Sequence, residues 1–540
     1  MDSLRKILKK IFKRDKVVSN QGRSLTLLTI SRLKKLGTYF VMLPANLNIE
    51  EHLITFPPQN YGFSSQLKFD IEKAKLILGL LASIPARNKD LIFENGYTPI
   101  NAEELNKYMT DYKFYLTYLI STGVIETDGI SYDGRSRRYR YTSTYFHSDK
   151  TRVNMAHFEK LNEAKRVQFI DDLHQGEDGV NIVEDYSYLS HWYEQKKLSI
   201  DVEKASQYLR LVTDKRIEAG EESWDWNKDK DEKKHPQGQY DAFMYNLEAL
   251  KDHNYRIKID DNIHRFHSVI TNMQKDYRNF LTYDGKELVA IDISNSQPYL
   301  ACLLFNPEFW KENSSLPLNL HNLPNNIKQL LLYNYPNTNS IPLTLGNKLR
   351  SYGAEPFNEY NEIVQSGRMY ETITEWIREE REVGIDRKIA KNELFKIMYS
   401  PNYISEERKA KEFYWLEQYY KRKFPAVMEV FKIIKRTFKD VGVEKQYARL
   451  AILLQSIESE IILHRCCKRI WEEGNQQVPI FTIHDSIITT KENVEFVERI
   501  MQEELTQCIG ISPQFKREEW KESELEHQDI LAQINGHESE

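Results

Sequence analysis

The segment Lys286-Glu287-Leu288-Val289-Ala290-Ile291-Asp292-Ile293-Ser294-Asn295-Ser296-Gln297 follows the turn signal Asp284-Gly285 and carries its apolar run into an acid. The run Leu288–Ile291 predicts a buried strand. A carboxylate at the end of such a strand is costly unless its charge is compensated, for example by a metal ion. Taken alone, an Asp in that place is more often a cap or turn residue. A second segment shifts the balance. Val478-Pro479-Ile480-Phe481-Thr482-Ile483-His484-Asp485-Ser486-Ile487-Ile488-Thr489-Thr490 predicts strand, tight turn and strand, with His484 and Asp485 at the tip. Two carboxylates on strand ends, joined in one sheet, can hold two divalent ions that activate a hydroxyl and stabilise a leaving pyrophosphate.

Between these segments lies Arg387-Lys388-Ile389-Ala390-Lys391-Asn392-Glu393-Leu394-Phe395-Lys396-Ile397-Met398-Tyr399. Arg387, Lys391, Phe395 and Tyr399 recur every four residues, so they share one helical face with slow drift. Two cations followed by two rings offer charge to a triphosphate and flat surfaces to a sugar and base. The plain alternative is an amphipathic surface helix with chance spacing.

The chain has 540 residues, too many for one compact core, and two or three domains are expected. A hydrophobic content of 40% with 12% aromatics excludes a disordered chain. A charged fraction of 29%, with no apolar run near the roughly 18 residues a spanning helix needs, argues against a transmembrane segment. Cys302, Cys466, Cys467 and Cys508 lack the spacing of a zinc site and suit a reducing, cytoplasmic compartment.

Composition divides the sequence into 1–148, basic and aromatic-rich; 149–262, strongly charged; and 263–540, where short apolar runs alternate with long amphipathic helices in an α+β pattern. The run from Trp224 to Lys234 predicts an exposed loop, and the acidic tail after Trp520 predicts a frayed end. Leu4, Ile7, Leu8, Ile11 and Phe12 predict a basic amphipathic helix, packed on its own domain or touching phosphates or an anionic surface. Residues 101–125 predict two helices stopped by Gly123, followed by strands Val124–Thr127 and Arg138–Thr142 around an Arg-rich tip. That order resembles a winged helix-turn-helix, whose wing would lay Arg135, Arg137, Arg138 and Arg140 along phosphates; a small helix–hairpin packing domain is the alternative.

With these residues in view, the three central segments resemble, in order, motifs A, B and C of the family A DNA polymerases, typified by bacterial DNA polymerase I. The first motif, D-Y-S-Q-x-E in the family, reads D-I-S-N-S-Q, with Asp292 and Ser294 matching. The second, R-x3-K-x3-F/Y-x3-Y-G, is matched by Arg387, Lys391, Phe395 and Tyr399, with Ser400 replacing the glycine. The third, H-D-E, reads His484-Asp485-Ser486. Further blocks resemble the family's segments around the primer–template: Arg265-x2-Ser268-x3-Asn272-x-Gln274, Arg278-x-Phe280, and Gln455-Ser456-Ile457-Glu458-Ser459-Glu460. The likeness spans roughly 263–520.

The resemblance implies a right-hand polymerase of palm, fingers and thumb, with the core in 263–540, a thumb-like or connecting helical region in 149–262 and a mainly helical, winged-helix-like N-terminal domain. It implies that Asp292 and Asp485 ligate two Mg²⁺ ions, with Mn²⁺ as an alternative. Arg387 and Lys391 would grip the nucleoside triphosphate, Lys391 also protonating pyrophosphate, and Phe395, Tyr399 and Gln297 would complete the nucleotide site. Arg265, Asn272, Gln274, Gln455 and His484 would contact primed DNA, with an accessory protein as a further candidate partner. Two departures bear on sugar choice. Gln297 is neutral where the DNA polymerases carry an acid, and Ser486 is a form associated with the single-subunit RNA polymerases, whereas Phe395 favours DNA synthesis. The D-x-E matches at Asp70–Glu72 and Asp201–Glu203 read as helix N-terminal acids, so no proofreading exonuclease is expected. The expected activity is template-directed DNA synthesis without proofreading. An RNA polymerase or primase on the same palm, and an inactive DNA-binding initiator, are the alternatives.

The net charge of −5 does not argue against a nucleic-acid partner, because the first forty residues hold eleven Lys/Arg against Asp2 and Asp15. Salt-sensitive DNA binding is therefore expected.

Overall fold

A computed structural model describes residues 40–537, apart from 94, 130–135, 156–185, 221–233, 256, 261–262, 333–339, 383, 404–405, 411 and 437–445. The N-terminal basic helix, the wing tip with Arg135 and nearly all of the charged run from Trp224 lie outside the described residues. The chain is an α+β protein that separates into two compact units. Among described residues one unit holds 259–266 and 289–518, and the other holds 40–258, 267–288 and 519–537. The first two compositional regions thus fall almost wholly in the second unit.

In that second unit, the helix Ile71–Arg87 is central. Asp70 caps it, its carboxylate accepting from the Glu72 amide, and Asp201 caps the helix Val202–Glu218 in the same way through the Lys204 amide. Both D-x-E matches are therefore helix caps. The strand Phe40–Pro44 pairs antiparallel with Lys150–Asn154 and runs close over the helix at Gly79. A Cβ there would lie 2.5 Å from Val41 Cγ1, so only glycine permits the approach. The expected two helices appear as Ala102–Tyr108 and Tyr112–Ser121, and the expected hairpin as Ile125–Thr127 paired with Arg137–Tyr141. A third strand, Thr98–Ile100, pairs on the other side of Arg137–Tyr141. Asp284 (φ 54°) and Gly285 (φ 74°) form the expected tight turn between Leu281–Tyr283 and the start of Lys286–Ile293.

The acidic tail is not frayed. Gln528–His537 is a helix packed on Val202–Glu218, with Ile530, Leu531 and Ile534 buried. Lys204 bonds Glu522 and Lys215 bonds Asp529, so apolar burial and neutralisation by basic partners outweigh the tail's self-repulsion.

In the first unit, the hairpin Ile480–Ile483/Ser486–Thr490 is closed by the Ile483–Ser486 pairing. Ser486–Thr490 is hydrogen-bonded beside Lys286–Ile293, which Phe515–Trp520 also pairs. Helix Arg449–Ser459 packs on the helices Ser296–Ala301 and Arg387–Tyr399, and Leu450, Leu453, Leu454 and Ile457, with Ile461 just beyond its end, are fully buried along the stripe their spacing predicts. It continues as a widened π-type turn over Glu460–Cys467. The four cysteines are free and buried, and no helix of the described residues is long and apolar enough to cross a membrane.

Candidate active site

The two acids picked out by sequence are brought together in the first unit. Asp292 stands near the end of Lys286–Ile293, and Asp485 stands in the two-residue turn of the neighbouring hairpin. His484 holds the turn's left-handed position, φ 55°, a conformation that costs a non-glycine residue and is concentrated at functional sites. Burial, and then the negative charge of Asp485, push the Asp292 carboxyl above the usual carboxylate range. Lys391 and the Ser486 hydroxyl act the other way, Ser486 Oγ donating to Asp292 Oδ1 at 2.7 Å. Ser486 therefore occupies one lone pair of the strand acid where a third carboxylate would have added repulsion.

The cationic-aromatic helix forms as Arg387–Tyr399, started by Asp386, whose side chain accepts from the Lys388 amide. Arg387 and Lys391 are exposed, whereas Phe395 and Tyr399 are half-buried. Arg387 bonds Glu371 at 2.5 Å and lies 4.9 Å over the Tyr370 ring. Lys391 lies 5.8 Å from the same ring and 5.5 Å from that of Phe395, which is tilted against Tyr399 at 5.7 Å. Ser400, in the place of the family's glycine, ends the helix in extended geometry. Tyr370, Glu371 and Glu518, whose negative charge also raises the Asp292 carboxyl, were not singled out by sequence. Tyr370 belongs to a separate helix, Met369–Arg381, and nothing in its local pattern marks it.

Tyr399 reaches a hydrogen-bonded chain. Its hydroxyl donates to Gln297 Oε1 at 2.8 Å, and Gln297 Nε2 donates to Glu458 Oε2 at 2.7 Å. Arg265 Nε and Nη2 donate to Glu458 Oε1 at 2.9 and 2.5 Å. Arg265 and Gln297 are thus joined through Glu458, an acid to which the sequence alone gives no role. Its signal was a carboxylate inside an apolar stripe. Asn295, left-handed at φ 52°, is buried with neither side-chain amide atom bonded. Gln455 is half-buried on the same helix as Glu458.

Asn272 and Gln274 belong to the second unit, where Gln274 Nε2 donates to Gln239 Oε1 at 2.8 Å and both line a small cleft with Lys89 and Lys234. Also in that unit, Arg140 bonds Glu126 at 2.6 Å and covers the Tyr97 ring, while Arg138 covers the Phe93 ring. These arginines of the expected wing are partly spent on packing.

Among the described residues no group of three or more His, Cys, Asp or Glu is placed to hold a metal. Two mutually repelling carboxylates nevertheless fit Mg²⁺, which is commonly held by one or two carboxylates with substrate phosphates supplying further oxygens.

No protein family matches the chain, and no curated protein matches it. Among solved structures it is similar to the POL domain of Pol1 from M. smegmatis, in complex with DNA primer-template and dNTP. Identity is 11% and the TM-score 0.31, over 66% of this chain and 73% of that one.

Proposed function

We propose that the chain is a template-directed DNA polymerase that adds dNMPs to a primer 3′-hydroxyl, on a palm, fingers and thumb framework joined to an N-terminal DNA-binding module. The observation that carries the reading is the meeting of Asp292 and Asp485, with Lys391 close enough to act on the same carboxyl. The primer oxygen bonds to the α-phosphorus while the bond to pyrophosphate breaks, and the hydroxyl proton passes to solvent water. Bound Mg²⁺ would supply Lewis-acid stabilisation of the attacking and leaving oxygens. Asp292 and Asp485 hold the negative face that requires it. Arg387 and Lys391 bind and orient the triphosphate, and Lys391 donates a proton to the leaving pyrophosphate. Phe395 and Tyr399 present rings to the sugar and base. His484, Arg265, Asn272, Gln274 and Gln455 meet the primer–template.

A second reading, RNA synthesis on the same framework, draws on neutral Gln297 and on Ser486 bonded to Asp292. Primer extension with Mg²⁺ and either dNTPs or rNTPs separates the two, with Asp485→Ala as control. Incorporation of dNMP lost in the variant is expected. Growth only with rNTPs would favour the second reading. No incorporation by a wild type that binds DNA would refute both.

A further inference from the structure

Arg387 is held from two sides by residues that the proposed activity has not used. Tyr370 and Glu371 stand in the first turn of Met369–Arg381, which packs against Arg387–Tyr399. Arg387 Nε donates to Glu371 Oε1 at 2.5 Å, and the guanidinium carbon lies 4.9 Å from the centre of the Tyr370 ring. The hydrogen bond is single. Glu371 Oε2 is shielded from water and bonds nothing among the described residues, and neither terminal nitrogen of Arg387 bonds a described residue. With the two side chains 53% and 37% exposed, the pair adds little to stability. An acid in a first turn suits the helix dipole, but that role needs no arginine upon it.

The consequence lies in the arginine. A guanidinium carries five N–H donors in one plane. A bond at Nε fixes the direction of that plane, the ring restricts its tilt, and the two terminal nitrogens keep four N–H groups for a forked grip on phosphate oxygens. Lys391 lies 5.8 Å from the same ring, so one buried aromatic gathers both cations.

We propose that Glu371 is a positioning residue for the triphosphate: by occupying Nε of Arg387 it presents the terminal nitrogens to the phosphates already oriented. This rests on the polymerase reading above, in which Arg387 grips the triphosphate. Two effects of Glu371 oppose each other. Its charge repels an incoming anion, but water and salt screen that repulsion at such exposure. A released arginine, in contrast, must be ordered afresh at every binding event, and that cost is the larger.

The variants Glu371→Gln and Glu371→Leu separate the two, since the first drops the charge but keeps an acceptor and the second drops both. Single-turnover primer extension over a range of dNTP concentrations gives the dNTP Kd and the maximal rate, with thermal melts alongside. Arginine can only donate, so the new glutamine turns its oxygen to Nε, and Glu371→Gln should bind dNTP within about threefold of wild type. Glu371→Leu should bind dNTP about tenfold more weakly than Glu371→Gln, while the maximal rates of the two differ by less than about threefold. In the Arg387→Lys background, where no guanidinium is left to orient, the difference in Kd should shrink below about twofold.

Equal affinity of the two variants, or an undiminished difference in the Arg387→Lys background, overturns the inference, since a merely structural Glu371 would act alike in both backgrounds. Tighter dNTP binding by Glu371→Leu than by wild type also overturns it, because Glu371 would then be a competitor for Arg387. Should Glu371→Leu fail to fold, Glu371→Ala, which equally lacks an acceptor, takes its place in each comparison. If the wild type incorporates no nucleotide, the polymerase reading itself falls. Incorporation with equal affinities in the two variants defeats this inference alone.

Discussion

Lys435 offers a way to measure how firmly the cationic-aromatic helix is held. The residue is 3% exposed, and its amine donates to the Ile397 carbonyl at 3.3 Å and the Ser400 carbonyl at 3.1 Å, closing the last turn of Arg387–Tyr399. Burial, and then the charge of Arg408, lower its pKa from 10.5 to about 7; Lys421 acts in the same direction and Glu417 against it. Between those values the unfolded chain binds a proton that the folded chain does not. Stability therefore rises with pH through this window, by up to about 1.4 kcal/mol per pH unit. The contribution is complete above 10.5, is lost as pH falls to about 7, and is flat below. From pH 7 to 9 the group should add about 2–3 kcal/mol. Lys435→Met keeps the length and removes the titration. Chemical unfolding of both proteins at pH 7, 8 and 9 is the assay, read on the transition of the unit that contains this helix. The stability difference, wild type minus variant, should grow by about 2–3 kcal/mol across the series. A difference constant within about 0.5 kcal/mol would refute a neutral buried amine at this helix end.

Further outcomes follow from the same geometry. Lys391→Met removes the cation that acts on Asp292 and on the triphosphate, and should lower kcat/KM for dNTP about a hundredfold in primer extension. Gly79→Ala drives a Cβ to 2.5 Å from Val41 Cγ1 and should destabilise the second unit by about 1–3 kcal/mol in thermal or urea unfolding, despite alanine's better helix propensity. Binding of the full chain to primed DNA, followed by fluorescence anisotropy, should weaken about tenfold or more between 50 and 200 mM salt. A flat salt dependence would contradict phosphate contacts by the basic segments.

Much of the site was legible because its information is local. Asp292 ends an apolar run, Asp485 sits in a tight hairpin, and Arg387, Lys391, Phe395 and Tyr399 keep helical spacing, so period and turn chemistry place each one. The same locality identified the caps Asp70 and Asp201, the Asp284-Gly285 turn and the buried stripe ending at Ile461. The acidic tail was misread because its charge is visible in the sequence, whereas Lys204 and Lys215, which neutralise it, are more than three hundred residues away.

What the amino-acid order determined by itself was the kind of element at each point and the chemistry each element carries. Only the tertiary structure decided which groups share an environment. Strand pairing put Asp485 beside Asp292, so that one carboxylate raises the other's pKa. Helix packing brought Tyr370 under two cations and made Glu458 the junction between Arg265 and Gln297. Hydrogen bonds and charges act over a few ångströms in space, and separations of 161 and 193 residues along the chain leave no local trace of them.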